Sequence, residues 1–263
     1  VAESCVFDYS PGAPTLVLVG DSHAASLAES VRVLAKENHL NFMQITEAEC
    51  PHIAGALDVY CENRGEAVSD ILEHVDNPII IYSARLPLYI EQEMFDNKEG
   101  GLESNGLFSK RGPLFNKGLS KETRPDIRGR DVVTTMSSWI NSGYKLVVIY
   151  PVPEQGFHVT LALSWHAPPI NNVDQLPTLS TRYDVFEERV ASSYAALDQL
   201  DSPGLIRVYP EKLFCQRKSG RCIASESDRL YFAYDNHVSP LGADLIVRQA
   251  AIELGLSVPD SFR

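Results

Sequence analysis

The sequence predicts an α/β fold, a doubly wound domain whose central parallel sheet carries helices on both faces. Two observations predict it. The run Thr15-Leu-Val-Leu-Val19 is rich in β-branched residues, lacks alternation and ends at Gly20, the pattern of a strand buried on both faces. After it the apolar residues change to helical spacing, and this exchange of strand for helix recurs along the chain, as it does where parallel strands are joined by helical crossovers.

Taken in order, Ala24, Leu27, Ala28, Val31 and Leu34 line one face of a helix reaching Glu37. Leu40 to Ile45 reads as a second strand, Glu66 to Val75 as a helix and Ile79 to Ser83 as a third strand. Val132 to Ser142 follows as a helix, Lys145 to Tyr150 as a fourth strand, and Arg182 to Leu200 as a long helix. Leu205 to Val208 is the last expected strand and Pro240 to Leu254 the closing helix. Two segments break the rhythm, 91–130 and 158–179, rich in Gly, Pro and Asn with isolated aromatics. Both read as long loop insertions near strand C-termini, the edge where open α/β sheets bind ligands.

With 263 residues the chain can bury a full core, and 1–263 reads as one domain. It begins at Val1 rather than Met, so 1–14 reads as an N-terminal extension or a linker from something upstream. Apolar residues make up 44% and charged residues 22%, an ordinary globular balance. A formal charge of −12 repels phosphate backbones, which excludes nucleic acid as a partner. No apolar stretch approaches the roughly 20 residues that cross a bilayer.

Cys50 with Cys61, and Cys215 with Cys222, form two close pairs in polar sequence. As disulfides each would close a small loop, stabilising it by about 2.5–3 kcal/mol in the chain-entropy model and implying an oxidising compartment. The spacings do not suit paired zinc knuckles, and no metal site is expected. Cys5 is left over and would suit an upstream partner.

The chemistry is carried by Gly20-Asp21-Ser22-His23 and by Asp235-Asn236-His237-Val238-Ser239-Pro240. A serine at a strand-to-helix turn presents its hydroxyl at the ligand edge of the sheet, with its own N–H at a helix N-terminus. Read locally, Asp21 or Ser22 is equally a helix cap. His237 changes that balance, because it precedes the last helix as Ser22 precedes the first, and in a doubly wound sheet the two turns can converge. Neutral imidazole is suited to take the proton of a serine nucleophile, and a carboxylate, Asp235 being nearest, can orient the ring.

Together with Cys50-Pro51, Ile81-Tyr82-Ser83-Ala84-Arg85, Pro151-Val152-Pro153-Glu154, the second cysteine pair and His237-Val238-Ser239-Pro240-Leu241-Gly242-Ala243, these blocks resemble the SGNH hydrolases. Within them the likeness is to the extracytoplasmic domain fused to a membrane acyltransferase-3 domain in bacterial O-antigen acetyltransferases. The resemblance implies an SGNH-hydrolase-like domain in which Ser22 takes up an acetyl group and passes it to a sugar hydroxyl of a cell-surface polysaccharide. It implies no bound cofactor, the acetyl group coming ultimately from a donor such as acetyl-CoA through the partner membrane domain. Residues 1–14 would link the two, placing this chain in the periplasm as a domain of a bacterial inner-membrane protein. A stand-alone carbohydrate or lipid acetylesterase, and a non-catalytic glycan-binding module, are the alternatives.

The pattern departs from the family in two places. The family's acid stands three positions before the histidine, where this chain has Tyr234; either Asp235 takes the role or a backbone carbonyl orients His237. For the oxyanion, Gly55 stands where the family's glycine is expected, with Gly65 as its rival. Arg85 replaces the asparagine, either stabilising charge or forming a structural ion pair. His23 reads as structural, as do His39, His52 and His74, and Trp165 with His166 as a sugar-stacking pair or as loop packing.

Overall fold

A computed structural model describes residues 10–55, 57, 61, 64–102, 124–165 and 175–262, with the backbone of 5–7. The chain begins with β1 (Cys5–Phe7) and β2 (Thr15–Gly20), followed by α1 (Ser22–Ala25), α2 (Ala28–Glu37) and β3 (Asn41–Thr46). Next come α3 (Ala67–Leu72), β4 (Pro78–Ser83), α4 (Leu86–Glu91), α5 (Pro125–Asn141) and β5 (Lys145–Ile149). After α6 (Val159–Ser164), β6 (Leu176–Arg182), α7 (Tyr183–Leu197) and β7 (Leu205–Val208), the chain closes with α8 (Glu211–Phe214), β8 (Cys215–Gln216), β9 (Arg221–Ser227), β10 (Arg229–Leu230) and α9 (Pro240–Leu254).

The main sheet has the order β1-β3-β2-β4-β5-β7. All pairs in it are parallel except β1 with β3. All six residues of β2 are buried, as its unbroken apolar run requires. Leu16 and Leu18 join the core formed with α2 and α9, while Val17 and Val19 join the core under α3, α4 and α5. The chain leaves β2 first for β3 on one side and then for β4 on the other, so the C-terminal ends of β2 and β4 bound the crevice at the switch in strand order.

The expected strands and the closing helix stand within a residue or two of their predicted limits. The first helix is instead broken in two, where the Ser26 hydroxyl donates to the His23 carbonyl (2.6 Å) and the Leu27 N–H to Ala24. The fifth helix begins at Pro125 rather than Val132, because proline at the first helical position has no amide hydrogen to satisfy. It takes the end of the 91–130 segment, of which 103–123 lies outside the described residues.

The 158–179 segment is not a loop throughout, since α6 and β6 occupy its two ends. Its middle, 166–174 with His166, lies outside the described residues. A second, small sheet forms around β9, which pairs antiparallel with β6, β8 and β10. Pro177 hides β6 from a sequence reading: it cannot donate to a ladder, and the register shifts beside it, a pattern tolerated at the edge β6 occupies. Ile223 and Ala224 of β9 pack with Phe214, Tyr231 and Phe232 against the α9 face of the core, carrying the chain to His237. No described helix is long and apolar enough to cross a membrane.

Candidate active site

Gly20 ends β2 with φ +143°, and a Cβ there would lie 1.8 Å from the Ser83 carbonyl oxygen at the end of β4. Only glycine lets the two strand ends approach so closely. Asp21 follows, buried, and caps α1 by accepting the His23 N–H (2.8 Å) at Oδ1. Its Oδ2 accepts the Arg85 N–H (2.9 Å) and the Tyr89 hydroxyl (2.8 Å). The capping role in this turn thus belongs to Asp21, and Ser22 is the first residue of α1. Burial raises the Asp21 pKa above the usual carboxylate range, opposed by those N–H and hydroxyl bonds and by the nearby His237.

His23 links the two halves of the site. It is buried, its Nε2 lies 3.2 Å from Asn236 Oδ1, and its ring centroid stands 5.0 Å from that of His237. Burial, with Arg85 adding to it, pushes its pKa down to about 4, so the ring is neutral at pH 7. A structural role for His23 agrees with this. The turn carrying Ser22 and the loop carrying His237, far apart in sequence, are therefore joined by a buried hydrogen bond between their neighbours.

The His237 loop is held mostly by backbone. The Asp235 carbonyl accepts Gln155 N–H (2.6 Å), the His237 carbonyl accepts Ala233 N–H (3.0 Å), and Ser239 N–H donates to Tyr231 (2.8 Å). Ser239 then caps α9, its Oγ accepting Gly242 N–H (3.1 Å). Asp235 and His237 are half-buried, whereas Tyr234, in the position of the family's acid, is exposed. No carboxylate stands at that family position.

Arg85 forms a buried ion pair through Nε with Glu154, and Glu154 also binds Arg189 Nε (2.6 Å). Burial alone would raise the Glu154 pKa, but the two guanidiniums outweigh it and hold it at about 2. Arg85 thus forms a structural ion pair, with its backbone N–H tied to Asp21. Gly55, at φ +88°, packs against Asp131 of α5, where a Cβ would lie 2.7 Å from the carboxyl carbon. Gly65, its rival, is buried.

Both disulfides, Cys50–Cys61 and Cys215–Cys222, are formed, the second across the β8–β9 register. The His52 ring, read from the sequence as structural, lies with the Cys50 and Cys61 sulfurs in a group whose atoms fall within 4.8 Å. Tied in a disulfide, those sulfurs are not thiolates and lack a thiolate's affinity for metal. His52 is buried, and its pKa is pushed down to about 4 by that burial. Asn236, Tyr89 and Glu154 were not singled out by the sequence. Glu154 and Asn236 had a signal only as members of the Pro151–Glu154 and Asp235–Pro240 blocks, and Tyr89 had none.

Comparison with known proteins follows the fold. The periplasmic domain of a lipopolysaccharide acetyltransferase of Salmonella ser. Paratyphi A superposes with a TM-score of 0.55 at 14% identity, covering 94% of this chain and 84% of that one. A GDSL-like lipase of Bacteroides thetaiotaomicron gives a TM-score of 0.47 at 9% identity, covering 93% and 90%. A search of curated proteins returned no match. The family model described as "SGNH domain (fused to AT3 domains)" matches residues 1–251, so the chain belongs to the family of SGNH domains fused to AT3 domains.

Proposed function

We propose that this chain is an O-acetyltransferase domain that carries an acetyl group on Ser22 and delivers it to a saccharide hydroxyl, O-antigen being the acceptor class its resemblance suggests. The observation that carries the reading is the buried bond between His23 and Asn236, which sets the Ser22 turn against the His237 loop. In the first step the Ser22 hydroxyl attacks the acetyl carbon while His237 takes its proton, forming a tetrahedral intermediate. The Ser22 N–H at the start of α1 is the donor available to the oxyanion. Collapse leaves an acetyl ester on Ser22 and returns the proton to the leaving group. The acceptor hydroxyl then gives its proton to His237 and attacks the ester carbon, and as the bond to Ser22 Oγ breaks His237 returns that proton to Oγ, releasing the acetylated acceptor and regenerating the serine.

Asp235, or a backbone carbonyl in its place, would orient His237 and stabilise its imidazolium in both steps. The donor arrives through the AT3 membrane domain to which the family is fused, ultimately from a compound such as acetyl-CoA, and the chain itself needs no bound cofactor. Two disulfides support an extracytoplasmic, periplasmic location. The test is intact-mass measurement after exposure to an activated acetyl ester. The wild-type chain should gain one acetyl group that saccharide discharges faster than water, and Ser22→Ala should gain none. Equal labelling of both would sink the reading, and discharge indifferent to saccharide would make the chain an esterase.

A further inference from the structure

The loop that carries His237 also carries an aromatic ring the acyl-transfer steps do not use. Tyr234 is 52% exposed, yet its ring is held, met edge-on by His158 at a centroid distance of 4.8 Å. His158 is itself fixed as the N-cap of α6, its Nδ1 accepting Leu161 N–H (3.2 Å) and lying 3.1 Å from Thr160 Oγ1. Thr160 N–H donates to the Ala233 carbonyl (3.4 Å), joining α6 to the loop. The Tyr234 centroid stands 6.1 Å from that of His237. An exposed aromatic held rigid loses little entropy when a ligand packs on it.

Among the described residues the large exposed apolar side chains are Leu102, Trp165, Tyr234, Leu241 and Ile252. Of these, Tyr234 lies on the His237 loop, Leu241 in the first turn of α9, which follows that loop, and Trp165, 72% exposed, at the far end of α6, whose first turn is bonded to the loop. Exposed apolar side chains held on ordered elements mark a candidate binding surface. From His158 to Trp165, α6 advances about 10 Å, roughly the length of two pyranose rings. Aromatic faces suit the C–H faces of a sugar, and a net charge of −12 disfavours an anionic polymer.

We infer that Tyr234 and Trp165 form the acceptor subsite, a platform on which a neutral saccharide chain stacks with a hydroxyl presented to the site beside His237. The inference rests on the acyl-transfer reading, and saccharide binding tests it separately. The chain has two tryptophans, and Trp139 is buried in the core with Nε1 donating to Ser69 Oγ. Acrylamide quenching therefore reports on Trp165.

The experiment uses the Ser22→Ala chain and neutral tetrasaccharides of glucose, galactose, mannose and rhamnose. At least one should protect Trp165 and shift its emission to shorter wavelength. Tyr234→Ala should weaken that binding by about fivefold or more, while Tyr234→Phe stays within about twofold. In transfer to the same tetrasaccharide by the Ser22 chain, Tyr234→Ala should raise the acceptor KM by a similar factor with kcat little changed. No emission change with any tetrasaccharide, or equal binding by Tyr234→Ala, overturns the inference. Failure of the acyl-transfer reading would show instead as acetyl-ester turnover indifferent to Ser22→Ala.

Discussion

The turn that bears Ser22 and the loop that bears His237 are held in place by different means. The turn is specified by its own residues: Gly20, which alone fits against Ser83, and Asp21, whose carboxylate gathers three donors. The loop is specified by its surroundings, through backbone bonds to Gln155, Tyr231 and Ala233 and a cap at Ser239. A site built this way has one locally encoded half and one half dependent on the assembly of the second sheet. Substitutions in the two halves should therefore fail differently.

The largest effect is expected at Gly20. Gly20→Ala places a methyl 1.8 Å from a backbone oxygen and at a φ of +143°, where neither side can yield cheaply. We expect a loss above about 4 kcal/mol, seen as loss of the cooperative thermal transition or of soluble protein. A folded Gly20→Ala chain with a melting temperature near that of the parent would show that the turn is less tightly specified than its geometry states.

Next are Ser22→Ala and His237→Ala, each expected to lower acetyl-ester turnover about 10³-fold, equivalent to about 4 kcal/mol, with thermal stability little changed. The double variant should be no slower than either single one, because groups acting as a unit are not additive. Additive losses would mean that His237 works independently of Ser22, breaking the link between the two regions.

The same contrast explains what was legible in the sequence. Strands β2, β4 and β7 and helix α9 announce themselves through apolar runs and a capped, proline-led start, and the Ser22 turn through Gly20 and Asp21. The second sheet was hidden because β8 and β10 are only two residues long and β6 contains Pro177, so neither alternation nor length marks them. That sheet carries the chain to His237, so the imidazole was readable as a residue type and its partners were not. Asn236 on the same loop was equally hidden, since nothing local announces its hydrogen bond to His23, 213 positions away.

The pH dependence of stability tests the buried side of the junction. His23 has a folded pKa of about 4 against 6.5 for the free side chain. Between those values the unfolded chain binds more protons, so stability is full above pH 6.5 and is lost as pH falls toward 4. The loss from His23 is about 3 kcal/mol by pH 4, and His52, also at about 4, acts in the same direction. His23→Gln keeps a donor for Asn236 but does not titrate, so urea midpoints at pH 7, 5.5 and 4 should show a shallower acid decline. An unchanged decline would remove His23 as a cause.

The smallest effect falls on the bond that joins the two regions. Asn236→Ala deletes the partner of His23 Nε2 while leaving the backbone bonds of Asp235 and His237 in place. The loop should stay folded, and the cost should be about 1–2 kcal/mol, that of leaving one buried polar group unsatisfied. If the bond also sets the two halves in register, kcat should fall about tenfold beyond anything the melting curve shows, because small misplacements are costly to proximity. Asn236→Asp separates the two effects: its carboxylate still accepts from His23 and should restore kcat, and it should raise the His23 pKa by placing a negative charge beside the ring. Loss of stability with turnover unchanged in Asn236→Ala would make the bond a fastening of the fold alone, leaving the register of Ser22 and His237 to the backbone.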